Sequence, residues 1–492
     1  MVTTVYADTT ALIEATAASD EPQIIAETLR LLGPESVPPS RIAGRVGLPA
    51  LWGACDARAL IHAASAGRVA EWLRTVPAGP EPDADQRRLL APALPLVQSF
   101  LAISAAVQRG LTKPTADLPE PLLPGEIRNP DGALGELRGA YARRDEQQVR
   151  RVMLGYHATG ADYRALTSAL FATLEFRYPE GGLPVTAGYA AGRVLDMANW
   201  GGNEQALIAW LTPYMLDPAP DTPVAQAARA YAADTAHDLG WLRTRLTIPK
   251  DEQAGSSYQQ ALLAGDATAA CEATLQALRA GATPEGVTAG MALAVATRLS
   301  ALAEGDRDAL MRAGDVLLYV HAVHALMTQV QDPVVWPLLY TAAAAVNSLR
   351  GAGGTSALES AAGGVSRSLL GGGLIAPTML RTVEHQLAAG DAPAALATAR
   401  RYAQMGHPTT ALAGVITSAA ALRDATPTAP ESLRALPYAT AAAEEYLLLP
   451  RPLQQGGQNA LLTAAIRLAS DLRGSHAVAD RVRAAIAASG QG

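Results

Sequence analysis

One stretch, AGDATAACEATLQALRAG at residues 264–281, predicts the architecture of this chain. Asp266 and Gly281 in it are fifteen residues apart, which is about four turns of an α-helix. Asp is a favoured helix N-cap, because its side-chain oxygen accepts a hydrogen bond from an otherwise unpaired backbone N–H. Gly is the residue that most often follows a helix, where φ is positive. The stretch therefore predicts one helix with both ends marked.

The same spacing occurs at two other places. Residues 143–160 read RRDEQQVRRVMLGYHATG, and residues 389–406 read AGDAPAALATARRYAQMG. A second helix is predicted directly after each glycine, with Pro284 and Pro408 in first turns, where a missing N–H costs nothing. Each second helix has an apolar pair four residues apart on one face. These pairs are Leu166 and Leu170, Val287 and Met291, and Leu412 and Ile416. We expect three helical hairpins.

The hairpins begin about 120 residues apart, so each repeating unit is expected to hold four or more helices. Apolar residues recur at helical spacing along nearly the whole chain, and alternating strand patterns are absent. We predict an all-α, multi-helical protein with an N-terminal helical region, residues 1–131, and three related helical units. The units span residues 132–250, 251–375 and 376–492, and the Gly-rich stretch at 351–373 is interpreted as a linker.

Composition excludes several classes of protein. The chain has 492 residues, of which 49% are hydrophobic and 17% charged, with a net charge of -7. Such a chain can bury enough apolar surface to fold. Its arginines are scattered among acids, so nucleic acid is not an expected partner. The uncharged run at 89–108 is as long as a membrane span, but Pro92 and Pro95 interrupt it, so we predict a buried core helix and no membrane partner. The N-terminus lacks the features of a secretory signal, which predicts a cytoplasmic location.

The cysteine and glycine patterns do not match the motifs by which proteins commonly bind a metal or a nucleotide. Cys55 and Cys271 lie far apart without a second Cys or His at a ligand spacing, so they are predicted to be small buried hydrophobes. Residues 351–354, GAGG, do not complete a dinucleotide fingerprint, and no Gly-Lys-Ser/Thr is present. No nucleotide is therefore expected.

Histidine provides the only candidate site. His321 and His324 are three residues apart on one helical face, a spacing that can place two imidazoles on one metal ion. Further ligands would come from distant helices, for example His157, Asp196 or His385. In the competing interpretation, His321 and His324 form hydrogen bonds within the core or at a helix interface. Catalytic residues are not identified.

The hairpin sequence ALRAGATPE at 277–285 resembles the helix-turn-helix of the carboxymuconolactone decarboxylase and alkylhydroperoxidase-D type. In that family the first hairpin helix carries Cys-x-x-Cys with a nearby His, and the thiols perform the peroxidase chemistry. Cys271 stands alone here. The resemblance therefore implies the hairpin and not the thiol activity.

A second resemblance covers about residues 145–423. The stretches VLDMAN at 194–199, YVHAVHAL at 319–326 and ARRYA at 399–403 resemble the helical region that accompanies a Rieske domain in some bacterial proteins, and more loosely questin-oxidase-like proteins. The paired Cys-x-His and Cys-x-x-His ligands of a Rieske cluster are absent, so no iron-sulfur cluster is expected.

Two functions follow as hypotheses. Repeated helical hairpins form concave surfaces, which favour a scaffold that binds a protein partner or a small apolar molecule. The alternative is a metal- or redox-dependent oxidoreductase-like enzyme that uses a His-lined pocket in the helical core. A third hypothesis is a structural subunit of a homo-oligomer.

Overall fold

The structure is a computed structural model. It describes residues 8–52, 56–78, 84–108, 118–160, 163–200, 202–216, 221–244, 255–330, 332–351, 376–425, 430–455, 459–472 and 474–489. Within these ranges the regular structure consists of α-helices and short 3-10 turns, without a β-strand. The predicted all-α class is confirmed. Cys55 and nearly all of the predicted linker at 351–373 lie outside the described residues.

The N-terminal helices pack around one long apolar helix. In chain order they are α1 (Thr10–Ala18), α2 (Glu21–Leu32), α3 (Pro39–Trp52), α4 (Ala57–Leu73), α5 (Ala84–Leu90) and α6 (Ala93–Gln108). In the part of the chain that the structure describes, Arg88–Gln108 is the one stretch long and apolar enough to cross a membrane, and 72% of its most apolar window is buried. Because α6 contacts α1, α2 and α4, it packs as the core helix that the sequence predicts.

The next range, up to residue 250, contains six α-helices among its described residues. They are α7 (Gly132–Ala142), α8 (Glu146–Ala158), α9 (Tyr163–Ala172), α10 (Leu183–Ala198), α11 (Glu204–Leu216) and α12 (Pro223–Ala232). Helix α10 packs against both α3 and α4, and so joins this range to the N-terminal helices.

The remaining helices complete the bundle. They are α13 (Ser256–Leu263), α14 (Ala267–Ala280), α15 (Pro284–Ala301), α16 (Arg307–Gln329), α17 (Leu338–Asn347), α18 (Ala376–Ala389), α19 (Ala392–Gln404), α20 (Thr409–Ala421), α21 (Ala435–Leu448), α22 (Arg451–Gln454), α23 (Ala460–Asp471) and α24 (Ala477–Ser489). Helix α21 is central among them, because it contacts α4, α16, α20 and α23.

The predicted hairpin ends are present in all three places. The caps Asp145, Asp266 and Asp391 each accept a hydrogen bond from the backbone N–H three residues ahead, at 2.9–3.0 Å. The glycines Gly160, Gly281 and Gly406 have φ of 83°, 112° and 76°. Pro284 opens α15 as predicted, whereas Pro408 precedes α20 as its N-cap residue. Among the described residues outside the hairpins, the three ranges hold different numbers of helices. The full three-unit repeat stays a prediction.

One continuous apolar core joins the four predicted ranges, since it includes buried side chains of each, from Leu51 to Leu472. A second cluster packs the N-terminal helices against α24. Cys271 is buried in the main core, and burial raises the pKa of its thiol to about 12. Cys271 therefore fits the prediction of a small buried hydrophobe.

Candidate functional site

Four helices from different parts of the chain meet around a group of buried charges. Helix α4 brings Arg68, α10 brings Tyr189 and Arg193, α16 brings His321 and His324, and α21 brings Glu444 and Glu445. Asp306 is the N-cap of helix α16, and its side chain accepts from the backbone N–H of Ala309 at 3.0 Å. Helix α21 is rich in alanine, so its backbone can lie close to α16. We call His321, His324, Glu444 and Glu445 the acid–histidine cluster.

Glu445 holds both histidines. His321 Nδ1 lies 2.7 Å from Glu445 Oε1, and His324 Nδ1 lies 3.0 Å from Oε1 and 2.8 Å from Oε2. Only 2% of the Glu445 surface is exposed. Burial of a carboxylate is costly unless it is paired and hydrogen-bonded, and the two imidazole N–H groups supply that pairing.

Glu444 faces the other side of His321. Its Oε2 lies 2.8 Å from His321 Nε2, and both of its oxygens accept from Nη1 of Arg193, at 2.7 and 2.8 Å. Arg68 Nε donates to Glu444 Oε1 at 2.9 Å. His321 therefore has a carboxylate oxygen beside each ring nitrogen, an arrangement that favours the doubly protonated imidazolium.

The surroundings shift the pKa of each of these groups in a consistent direction. Burial by itself lowers the pKa of His321, but its neighbours, with hydrogen bonds to Glu444 and Glu445 among them, hold it well above its usual range. Burial raises the pKa of Glu445, but His324 and His321 outweigh it and lower the pKa to about 2. In the same way, Arg193 and His321 lower the pKa of Glu444 in spite of burial. The folded protein thus favours the charged form of all three side chains.

These shifts predict a pH window for stability. The raised pKa of His321 contributes stability in full below pH about 6.5, and this contribution is lost as pH rises toward the folded pKa. The lowered pKa values of Glu444 and Glu445 contribute above pH about 4.5 and are lost as pH falls. The contribution of the cluster is therefore expected to be greatest between these two pH values.

The variant His321→Gln tests the upper edge of this window, because glutamine can form hydrogen bonds but does not titrate. Thermal unfolding from pH 6 to 9 should show wild type losing stability faster than His321→Gln, so that their melting temperatures converge. Parallel curves would contradict the assignment of an imidazolium at His321.

The structure brings the two predicted candidate ligands together, but not the more distant ones. His157 lies 4.0 Å from Glu204, Asp196 accepts from Trp200 Nε1 at 2.6 Å, and His385 is exposed. Among the described residues, no group of three or more His, Cys, Asp or Glu side chains is arranged to hold a metal ion. Metal binding by His321 and His324 stays a prediction, while their contacts match the competing interpretation of hydrogen bonding at a helix interface.

Sequence reasoning missed the acidic half of the cluster. Glu444 and Glu445 are adjacent acids in the stretch ATAAAEEYLLL at 439–449, which is otherwise nearly apolar. Lys, Glu, Arg and Asp are almost never fully buried unless they are paired. Two acids on a helix that is expected to be buried were therefore the available signal that partners of opposite charge lie nearby.

The space inside the cluster is small. A cavity of about 20 Å³ is lined by His321, Glu444, Arg193 and Tyr189, among others. That volume holds about one water molecule. An organic substrate therefore does not fit in this cavity, while Glu444 holds Arg193 in place.

A larger pocket lies on the outer side of Arg193. It has a volume of about 330 Å³ and is lined by Ser40, Arg41, Gly67, Arg68, Glu71, Arg193, Asp196, Met197 and Asn199. We call it the arginine pocket, because guanidinium groups from α3, α4 and α10 reach it. Arg193 lines both the pocket and the inner cavity, so it connects the pocket to the cluster.

Each arginine in this pocket is held by a different contact. Arg68 lies over the ring of Trp72, at 5.5 Å from the ring centroid. Arg193 donates to Tyr189 Oη at 3.2 Å as well as to Glu444. The side-chain oxygen of Asn199, in the amide orientation that satisfies its neighbours, accepts from both terminal nitrogens of Arg41 at 2.5 and 2.7 Å. The three side chains are therefore oriented by neighbours in the fold.

Comparison with protein-family models, with curated proteins and with solved structures finds no match for this chain.

Proposed function

We propose that the protein is a helical scaffold that binds a small polar molecule in the arginine pocket. The observation that carries this proposal is the convergence of Arg41, Arg68 and Arg193, from three different helices, on one pocket of about 330 Å³. Ligand pockets in proteins typically have volumes of about 300–1,000 Å³ and use a few precisely placed polar groups.

The buried cluster supports this role by making the pocket wall rigid. Arg193 is bound through Nη1 to Glu444, which is itself held by His321 and Arg68. A binding group performs best when surrounding contacts fix its position before the ligand arrives. We therefore propose that the cluster fixes the position of Arg193 and that the ligand binds in the arginine pocket.

The chemistry of the pocket lining favours a different class of ligand from the one that the sequence predicted. The helical hairpins alone predicted a protein partner or a small apolar molecule, but charged and polar side chains dominate the lining of the arginine pocket. A guanidinium group loses hydrogen bonds to water when a ligand covers it. It therefore favours a ligand that accepts hydrogen bonds in place of that water. We therefore propose a polar small molecule, and a protein partner becomes an outcome of the test.

Asp196→Trp tests the binding function. Asp196 is an exposed helical residue that lines the pocket, so an indole there should fill the mouth of the pocket without disturbing the core. In a thermal-shift screen with polar metabolites, compounds that raise the melting temperature of wild type should lose this effect in Asp196→Trp. The matched control is Asp308→Trp, an exposed position on α16 outside the pocket, which should respond like wild type.

If no compound gives a shift that depends on Asp196, small-molecule binding at this pocket is rejected. A protein that is captured by wild type and lost with Asp196→Trp would instead place a protein partner at the same surface.

The enzyme hypothesis keeps one supporting observation. His321 and His324 meet at one buried carboxylate, Glu445, and the resemblance of the helical region at about residues 145–423 motivates an oxidoreductase-like enzyme. Metal analysis and an absorption spectrum of protein purified without chelator test it. Stoichiometric iron, zinc or copper that is lost in the variant His321→Ala/His324→Ala would favour the enzyme, whereas a colourless, metal-free protein would count against it.

A further inference from the structure

The arginine pocket contains N–H donors that the fold does not use. Arg193 forms its hydrogen bonds through Nη1, and Arg68 forms its hydrogen bond through Nε. Among the described residues, Nη2 of Arg193 and both terminal nitrogens of Arg68 have no hydrogen-bond partner. Because a guanidinium offers five N–H donors in a fixed planar fork, and both side chains line the arginine pocket, these nitrogens are available to a ligand there.

The two arginines are also close to each other. Arg68 Nε and Arg193 Nη1 contact the same oxygen of Glu444, at 2.9 and 2.8 Å. One carboxylate is therefore shared by two guanidinium groups and by His321. Arg41 adds a third positive charge, and its partner is the neutral amide of Asn199.

The acids that line the pocket are already engaged. Glu71 Oε1 accepts from the backbone N–H and the hydroxyl of Ser40, at 2.9 and 2.6 Å. Asp196 accepts from the indole N–H of Trp200 at 2.6 Å. The lining thus holds three guanidinium groups and two carboxylates, and the Glu444 carboxylate behind Arg68 and Arg193 balances the third positive charge. The carboxylates have partners of their own, and unused donors remain on Arg68 and Arg193.

We propose that the arginine pocket recognises the oxyanion group of its ligand, a carboxylate or a phosphate, through Arg68 and Arg193 with Arg41 as the third cation. Planar, paired N–H donors match the two oxygens of a carboxylate or a phosphate, and such charge-assisted pairs are among the strongest hydrogen bonds in proteins. This inference rests on the proposed binding function and adds the chemical class of the ligand.

Calorimetric titration at fixed ionic strength tests the inference with two probes, inorganic phosphate and succinate. The variants Arg41→Gln and Arg68→Gln are expected to raise the dissociation constant for the bound probe at least about tenfold, because each loses one charge-assisted contact. Arg74→Gln is the matched control, because Arg74 is an exposed arginine that directly follows α4 and does not line the pocket. It should leave affinity within about twofold of wild type.

A further variant separates recognition from folding. Arg68→Lys keeps a positive charge beside Glu444 but cannot present paired N–H groups. We expect it to retain the melting temperature of wild type while losing affinity for the probe. Binding of succinate alone identifies a carboxylate ligand, and binding of phosphate alone identifies a phosphate ligand.

Two results would overturn the oxyanion assignment. One is binding of neither probe, and the other is equal weakening by Arg68→Gln and Arg74→Gln, which would indicate nonspecific attraction to surface charge. If neutral polar compounds still bind in a manner that depends on Asp196, the binding function survives without this assignment. If no compound binds in that manner, both proposals fail.

Discussion

Replacement of His321 with alanine is expected to lower the free energy of unfolding by about 3–5 kcal/mol, the cost of removing one partner from a buried ion pair. His321 is 4% exposed and contacts Glu444 and Glu445. Without the imidazolium, two adjacent carboxylates lose a shared counter-charge in a region that water barely reaches. Urea unfolding followed by far-UV circular dichroism at pH 6 measures the loss.

The control for this prediction is His385→Ala. His385 is an exposed histidine on α18, so its replacement should change stability by no more than about 0.5 kcal/mol. If both alanine variants unfold at the same urea concentration, the acid–histidine cluster does not depend on His321.

The replacement Gly44→Ala is expected to cost about 1–3 kcal/mol through overpacking. A Cβ atom at this position of α3 would lie 2.5 Å from the backbone N of Ala198 and 2.5 Å from the backbone C of Met197, both on α10. A neighbouring backbone cannot rotate away as a side chain can, so the two helices would have to separate. Separation would also move Arg41 and Asn199, which lie on opposite sides of this contact and line the arginine pocket.

Gly192→Ala is the matched control on α10. No atom lies within 4 Å of a Cβ built there, and alanine favours a helix interior over glycine by about 0.5–1 kcal/mol. The control should therefore raise stability while Gly44→Ala lowers it, in the same urea experiment. A gain in both variants would show that α3 and α10 have room between them.

Much of the fold could be predicted because its signals are local. The caps Asp145, Asp266 and Asp391 bond to backbone groups three residues away, and the glycines that end the same helices need only their own positive φ. Such contacts depend on a few neighbouring residues. The helical periodicity likewise placed His321 and His324 on one face of one helix, which the structure confirms.

The partners of those histidines could not be predicted in this way. Glu445 follows His321 by 124 residues, and the two meet because α21 packs against α16. The sequence-based candidates His157, Asp196 and His385 are not hydrogen-bond partners of these histidines, because periodicity tells which residues share a face and not which helix that face meets. The adjacent acids in an apolar stretch indicated a buried counter-charge, but not its source.

Sequence alone determined that this chain is helical, where its hairpin helices begin and end, and that two histidines share a helical face. Only the tertiary structure decided that those histidines contact Glu444 and Glu445, and that Arg41, Arg68 and Arg193 reach one pocket. The physical reason is the distance along the chain over which each interaction acts. Caps and periodicity act within a few turns of a helix, whereas burial and charge pairing depend on the packing of helices that are far apart in the chain.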